Sequence, residues 1–417
     1  MVMHQENRSF RLVSEPEAMP LVEEFLAAEG FRFEPEPFSP FCRRLLSEPM
    51  PLGSSLAAFF GYIYIQDRSS MLPPLALAPG AGDAVLDMAA SPGSKSGFLG
   101  QLCGRAGFVL ANEPNAGRLA TLRANLGRCN LVQVATCSYA GEKIPLEAGW
   151  SHILLDPPCS GWGTVNRHPD AIKIWQGDKI NKLIGLQRQL LARAASLLAP
   201  GGRLLYSTCT TNPQENEEQT RFALENLGLL PEPISPFAGF TFREKPNGAL
   251  LVDGEESGSQ GFYLALLTKP GNPADRPDHE WPLPGLKLES SELASPVMCP
   301  KLLPRGAIAA FGDKARFLPE QAGSHVPPAF RWQGSLLGKW SNGLFTPWPR
   351  LRICLPGHDL EPSAPRVQLE TAAEVRALLT GSRMDAGISA SMAALWWRDL
   401  PLGICQIKNG RIIAAFR

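Results

Sequence analysis

Two cysteines stand in settings that buried structural cysteines rarely share. Cys159 lies in Asp156-Pro-Pro-Cys-Ser-Gly161 and Cys209 in Tyr206-Ser-Thr-Cys-Thr210, each directly after an apolar run that reads as a strand. A thiol inside a core is usually an inert small hydrophobe, whereas one presented at a strand end can ionise and attack an electrophilic carbon. A third stretch, Asp87-Met-Ala-Ala-Ser-Pro-Gly-Ser-Lys-Ser96, follows another strand and opens a helix. The small residues Ala89, Ala90, Ser91, Pro92, Gly93 and Ser94 allow a ligand close to the backbone there, with Lys95 at the helix start. Glu113 follows Gly93 by 20 residues and ends the next strand, where an acid in an α/β sheet takes ribose hydroxyls. A nucleoside cofactor fits the two. Neither Gly-x-Gly-x-x-Gly nor Gly-x-x-x-x-Gly-Lys-Ser occurs, which demotes dinucleotides and ATP.

The elements that must carry these groups alternate regularly. Strands are expected at 84–87, 107–113, 131–134, 152–156, 202–206 and 261–268, with helices running through Leu102, over 117–127 and over 180–198. Repeated β-α-β units imply a mostly parallel sheet with helices on both faces and a ligand site beyond the carboxyl ends of its strands. Residues 1–70 read as a small N-terminal appendage: a helix from Pro20 to Ala28 stopped by Gly30, a Pro-rich stretch over 35–51, and an alternating run from Tyr62 to Ile65. Residues 71–270 form the main domain, 271–290 a Pro-rich linker and 291–417 a C-terminal region.

These motifs together resemble the Nol/Nop/Sun family of RNA cytosine-5 methyltransferases. The resemblance rests on the Gly93 loop, Glu113, Asp-Pro-Pro-Cys-Ser-Gly-x-Gly with Arg167-His-Pro-Asp170 behind it, and Ser-Thr-Cys followed by Asn212-Pro-Gln-Glu-Asn216. Gln66-Asp-Arg-Ser-Ser-Met-Leu72 also matches, so the likeness covers about residues 60–268 in the family's motif order. It implies an α/β Rossmann-like S-adenosylmethionine-dependent methyltransferase core. It implies that S-adenosyl-L-methionine is held by Ala89 to Lys95 and Glu113, that Cys209 is the nucleophile, and that Cys159 assists product release. Asp156 would act on N3 of the cytosine and also lie at the cofactor, and Lys95 would help hold the base. Carbon 5 of cytosine is a poor nucleophile, so a thiolate must first add at carbon 6, which is why a cysteine is required. The family has an Asp at the cofactor adenine where this chain has Tyr139, leaving Tyr139 or Ser138 to make that contact. The run Leu400-Pro-Leu-Gly403 with Lys408-Asn409 resembles a PUA-like α+β RNA-binding module.

Composition bounds the partners. The 417 residues carry a formal net charge of +0, but residues 281–417 hold 16 Lys and Arg against 10 Asp and Glu. Six of the nine Trp also fall in that tail: Trp281, Trp332, Trp340, Trp348, Trp396 and Trp397. Basic and aromatic residues together suit RNA, and they equally suit a Trp-rich core with a solvated face. Ribosomal RNA is the expected partner, ahead of transfer RNA, and removing 281–417 is expected to weaken RNA binding and flatten its salt dependence. Cysteine spacing indicates no metal site and no disulfide framework, and no long apolar run indicates a membrane span. A cytoplasmic monomer is expected. A DNA cytosine-5 enzyme using Pro158-Cys159, or a silent RNA-binding scaffold, are the competing readings.

Overall fold

The computed structural model describes residues 8–162, 178–275, 279–293, 295–414 and 416. Arg167–Asp170 therefore lies outside the described residues. At the N-terminus β1 (Ser9–Leu12), β2 (Arg32–Pro35), β3 (Cys42–Ser47) and β4 (Ile63–Ile65) form an antiparallel sheet of order β2-β3-β1-β4. Helices α1 (Met19–Ala27) and α2 (Leu56–Phe59) belong to this segment, and α3 (Leu72–Leu77) leads out of it.

The centre is an open sheet containing β5 (Ala84–Asp87), β6 (Phe108–Asn112), β7 (Val134–Cys137), β8 (Trp150–Leu155) and β9 (Leu198–Thr208), all parallel, in the order β7-β6-β5-β8-β9. Val85, Leu86, Val109, Leu110 and Leu154 are wholly buried, as expected of strands covered on both faces. Beyond β9 the sheet continues antiparallel through β13 (Phe262–Thr268), β12 (Leu250–Val252) and β11 (Phe242–Glu244), with β10 (Leu230–Glu232) also on β13. The covering helices are α4 (Ser94–Cys103), α5 (Ala116–Cys129), α6 (Asp178–Leu197) and α7 (Glu217–Asn226). Strand order reverses at β5, between β6 and β8, so the crevice at the carboxyl ends of these strands is the expected ligand position.

The strand expected over 131–134 is displaced. Helix α5 runs to Cys129 and ends on Asn130 in the left-handed region, after which Leu131 and Val132 turn into two different apolar cores. Pairing with β6 begins only at Val134.

The C-terminal segment builds two further sheets. Strands β14 (Leu286–Lys287), β15 (Gly306–Phe311), β16 (Lys314–Pro319), β18 (Ser335–Ser341) and β19 (Leu344–Pro347) form one antiparallel sheet, while β17 (Trp332–Gln333) pairs instead with β7 and extends the central sheet. Strands β20 (Arg366–Leu369), β21 (Met392–Trp397), β22 (Leu400–Lys408) and β23 (Arg411–Ile413) form the other, beside α8 (Ala372–Leu379). This last sheet shares one core with the N-terminal segment: Phe10, Val22, Phe25 and Phe60 pack with Val375, Leu395, Trp397 and Phe416. The Trp397 ring lies 4.5 Å from that of Phe25. Five of the six tail tryptophans, Trp332, Trp340, Trp348, Trp396 and Trp397, lie in or against apolar cores, whereas half-buried Trp281 stacks on His279 at 4.3 Å. No described helix is long and apolar enough to cross a membrane.

Candidate active site

The turn after β5 is fixed from below. Asp87 is buried and accepts from Ser96 Oγ at 2.6 Å and from the Ala89 amide at 3.3 Å, which folds Ala89 and Ala90 back over the strand end. The Ala90 amide donates to the Asn112 carbonyl at 2.9 Å. Gly93 sits at φ +104°, and a Cβ there would meet Leu122 Cδ1 at 2.9 Å, so only glycine starts α4 at this point. Ser91 Oγ donates to the Arg118 carbonyl at 3.1 Å, and Arg118 Nη2 returns a bond to the Ser91 carbonyl at 3.1 Å. Pro92 and Ser94 complete the turn; the Pro92 carbonyl accepts from Asn125 Nδ2 at 2.9 Å.

At the next strand end Asn112 and Glu113 are both buried. The Asn112 amide donates to the carbonyls of Met88 and Tyr139 and its oxygen accepts from the Tyr139 amide, tying the β5 and β7 loops together. Glu113 accepts from the Asn115 amide at 2.8 Å and pairs with Arg118 at 3.3 Å. Tyr139 is engaged elsewhere: its ring stacks on Phe330 at 4.5 Å, and its hydroxyl accepts from the Arg331 amide at 2.8 Å. Ser138 is exposed and donates to the Pro114 carbonyl at 3.4 Å.

The two thiols meet across the adjacent ends of β8 and β9. Cys159 Sγ and Cys209 Sγ are 3.1 Å apart. Beside them Lys95 Nζ, from the first turn of α4, donates to Asp156 Oδ2 at 2.7 Å, and Ser207 Oγ donates to Asp156 Oδ1 at 3.0 Å. Burial acts against the Lys95 charge, but the field and hydrogen bond of Asp156 outweigh it and raise the ammonium above its usual range. Cys209 is held below the usual thiol range, chiefly by the hydrogen bond from Cys159, against its burial and with help from Lys95. Cys159 is pushed well above that range by the same hydrogen bond and by burial. The two shifts run in opposite directions, and of the two sulfurs Cys209 is the one that gives up its proton more readily. A cavity of about 220 Å³, lined by Trp162, Thr211, Arg243, Asp253 and Gly261 among others, opens beside the second cysteine loop.

The profile described as 16S rRNA methyltransferase RsmB/F matches residues 74–268. A solved methyltransferase homologue from Pyrococcus horikoshii is 33% identical, with a TM-score of 0.55, over 63% of this chain and 86% of that one. The chain belongs to the RsmB/F methyltransferase family. Relatives named ribosomal RNA small subunit methyltransferase F are 38% identical over 258 residues in Cronobacter sakazakii (58% of this chain, 53% of the relative) and 39% over 229 residues in Serratia proteamaculans (53% and 48%). The chain spans about half the length of the curated relatives it matches. NSun6 from Pyrococcus horikoshii, 22% identical with a TM-score of 0.57 over 64% of this chain and 91% of that one, shares the fold. The expected Rossmann-like methyltransferase core stands, and so does the Nol/Nop/Sun resemblance, with its likeness to bacterial ribosomal RNA small subunit methyltransferase F.

In this RsmB/F chain the structure brings Lys95, Asp156, Cys159 and Cys209 into one cluster and sets Glu113 on the same rim of the sheet. Tyr139 stands at that rim with both ring and hydroxyl committed to the C-terminal segment. Sequence reasoning missed Asn112, Arg118, Ser207 and the Tyr139–Phe330 stack. Asn112 was legible as a polar residue closing an apolar strand next to Glu113; Phe330, 191 residues from Tyr139, carried no local signal.

Proposed function

We propose that this chain methylates carbon 5 of cytosine in RNA, using S-adenosylmethionine, with small-subunit ribosomal RNA as substrate. The observation that carries the reading is the 3.1 Å approach of Cys159 and Cys209 beside the Lys95–Asp156 ion pair, at the rim where the cofactor turn also ends. Two thiols have a purpose in this chemistry that a single-cysteine DNA enzyme leaves unexplained.

The residues at the β5 and β6 ends fit the cofactor by their donor set. Glu113 offers a buried carboxylate suited to ribose hydroxyls, and the first amides of α4, after Gly93, have no partner within the helix. Ala89 to Lys95 and Glu113 would hold the molecule, while Asp156 borders it through Lys95. S-adenosylmethionine supplies an electrophilic methyl carbon. The chain does the remaining work. The Cys209 thiolate adds to carbon 6, forming a sulfur–carbon bond and making carbon 5 nucleophilic. Asp156, oriented by Lys95 and Ser207, acts at N3. After methylation a base takes the proton from carbon 5, the electrons of that bond re-form the carbon 5–carbon 6 double bond, and the carbon 6–sulfur bond breaks to return Cys209 as a thiolate, with Cys159 assisting release.

The substrate must bring the base out of a stack or present it in a single strand. The cavity lined by Trp162 and Thr211 suits a nucleotide beside the target. The basic C-terminal region, including its PUA-like sheet, is proposed to bind RNA, and the protein to act in the cytoplasm. The test is incubation with labelled S-adenosylmethionine and total RNA or DNA. Labelled 5-methylcytidine from RNA supports the proposal; label in DNA alone, or in neither, overturns it.

A further inference from the structure

The second cysteine motif continues into Asn212-Pro-Gln-Glu-Asn216, and Glu215 in that run has no part in the chemistry above. It is wholly buried, and no cation pairs with it among the described residues. Four donors converge on its two oxygens. Ser160 gives Oε2 its backbone amide at 2.9 Å and gives Oε1 its hydroxyl. Gln187 Nε2, on α6, donates to Oε2 at 3.0 Å, and Asn212 Nδ2 donates to Oε1 at 3.1 Å. Gln187 Nε2 also reaches the Pro158 carbonyl at 2.9 Å, and the Tyr206 hydroxyl donates to the Glu215 carbonyl at 2.7 Å. A buried carboxylate needs its lone pairs filled, and here donors from both cysteine loops and α6 fill them.

The residues bonded are the chain neighbours of the two sulfurs. Ser160 follows Cys159 directly and Thr210 follows Cys209; their hydroxyls lie 2.8 Å apart. Thr210 Oγ1 accepts from the Asn212 amide at 3.2 Å. It therefore donates to Ser160 Oγ, whose own proton goes to Glu215 Oε1. A continuous chain runs from one cysteine loop to the other through a single carboxylate.

We propose that Glu215 is the positioning residue that sets the distance between Cys159 and Cys209 without touching the substrate. The proposal deepens the two-thiol reading and rests on it for its catalytic consequence, but its structural half can be read without any methyl transfer.

Two variants separate the alternatives. Glu215→Gln keeps size and one acceptor and turns the other oxygen into a donor facing donors. Ser160→Ala removes one hydroxyl link and leaves the carboxylate in place. Each is compared with the full-length parent for the rate at which diamide joins the two thiols. In that reaction both sulfurs lose their protons and two electrons, and the azo bond is reduced to a hydrazine. Cofactor affinity is measured by calorimetry, and kcat and KM on RNA across pH. The expected result is a disulfide rate at least tenfold slower in both variants, kcat down at least tenfold with its acid limb moved to higher pH, and cofactor affinity within twofold of the parent. Unchanged cross-linking in a folded variant overturns the proposal. So does a loss of cofactor affinity as large as the loss of kcat, since that marks general disruption. If cross-linking slows while the parent itself methylates no RNA, the positioning role stands and the functional reading fails.

Discussion

A sulfur becomes a nucleophile by losing its proton, and at this site the loss is arranged by neighbours. Cys159 and Cys209 share a hydrogen bond with the Lys95 ammonium close by, and the proton affinity is lowered at the sulfur that would attack. Asp87 shows the opposite influence. Burial pushes its carboxyl up to about 6, against the hydrogen bond from Ser96 and the charge of Lys95, and with the charge of Asp156. The unfolded chain releases this proton near pH 4 and the folded chain only near 6. The native state thus binds more protons between those values, and the contribution to stability, complete below about pH 4, is lost as the pH rises through about 6. Asp87→Asn should remove that loss. Urea unfolding is expected to find the variant more stable at pH 7 by on the order of 1–3 kcal/mol, with the difference vanishing towards pH 4. A difference that stays constant over this range would contradict the assignment.

Elements made of local pattern were legible and elements made of distant pairing were not. The strands and helices around Asp87, Glu113, Asp156 and Cys209 could be read because apolar runs, a helix-opening glycine and polar strand ends occur within a few residues of one another. The strand at 134–137 was misplaced because Leu131 and Val132 are as apolar as a strand but serve two cores. Nor could any local pattern announce that β17 would arrive from 195 residues downstream to pair with β7. That pairing delivers Phe330 and Arg331 to Tyr139, linking the C-terminal segment to the loop proposed to meet the cofactor. Tyr139→Phe deletes only the acceptor for the Arg331 amide and should cost about 1 kcal/mol in chemical unfolding. Phe330→Ala removes the stacked ring, costs about 3–5 kcal/mol if the space stays open, and should lower cofactor affinity more than Tyr139→Phe does. Equal cofactor affinity in all three proteins would mean that the stack does not support the cofactor loop.

Across the whole molecule the ends of the chain are joined. Trp397, Leu395 and Phe416 fill the core beneath Phe10, Phe25 and Phe60, and Arg398 reaches Glu24 at 2.7 Å. The division at 271–290 read from the sequence carries no sign of this, because a shared core leaves no mark in a linear sequence beyond buried-type residues at each end. Removing 281–417 would uncover that core and strip β17 from β7, so loss of RNA binding after truncation would report unfolding first. A single substitution is the sharper probe. Trp397→Ala should destabilise the protein by about 3–5 kcal/mol. Hydrogen exchange should show β1 and α1 losing protection together with β21 and β22. Loss confined to the C-terminal strands would show that the two ends are stabilised separately.

The central claim concerns the Cys209 sulfur and is tested most directly by trapping. Cys159→Ala, incubated with RNA and S-adenosylmethionine and run under denaturing conditions, is predicted to carry covalently bound RNA. Changing Cys209 to Ala in the same variant should abolish the adduct. An adduct that survives in the double variant, or that forms instead in the Cys209→Ala single variant, would contradict the account.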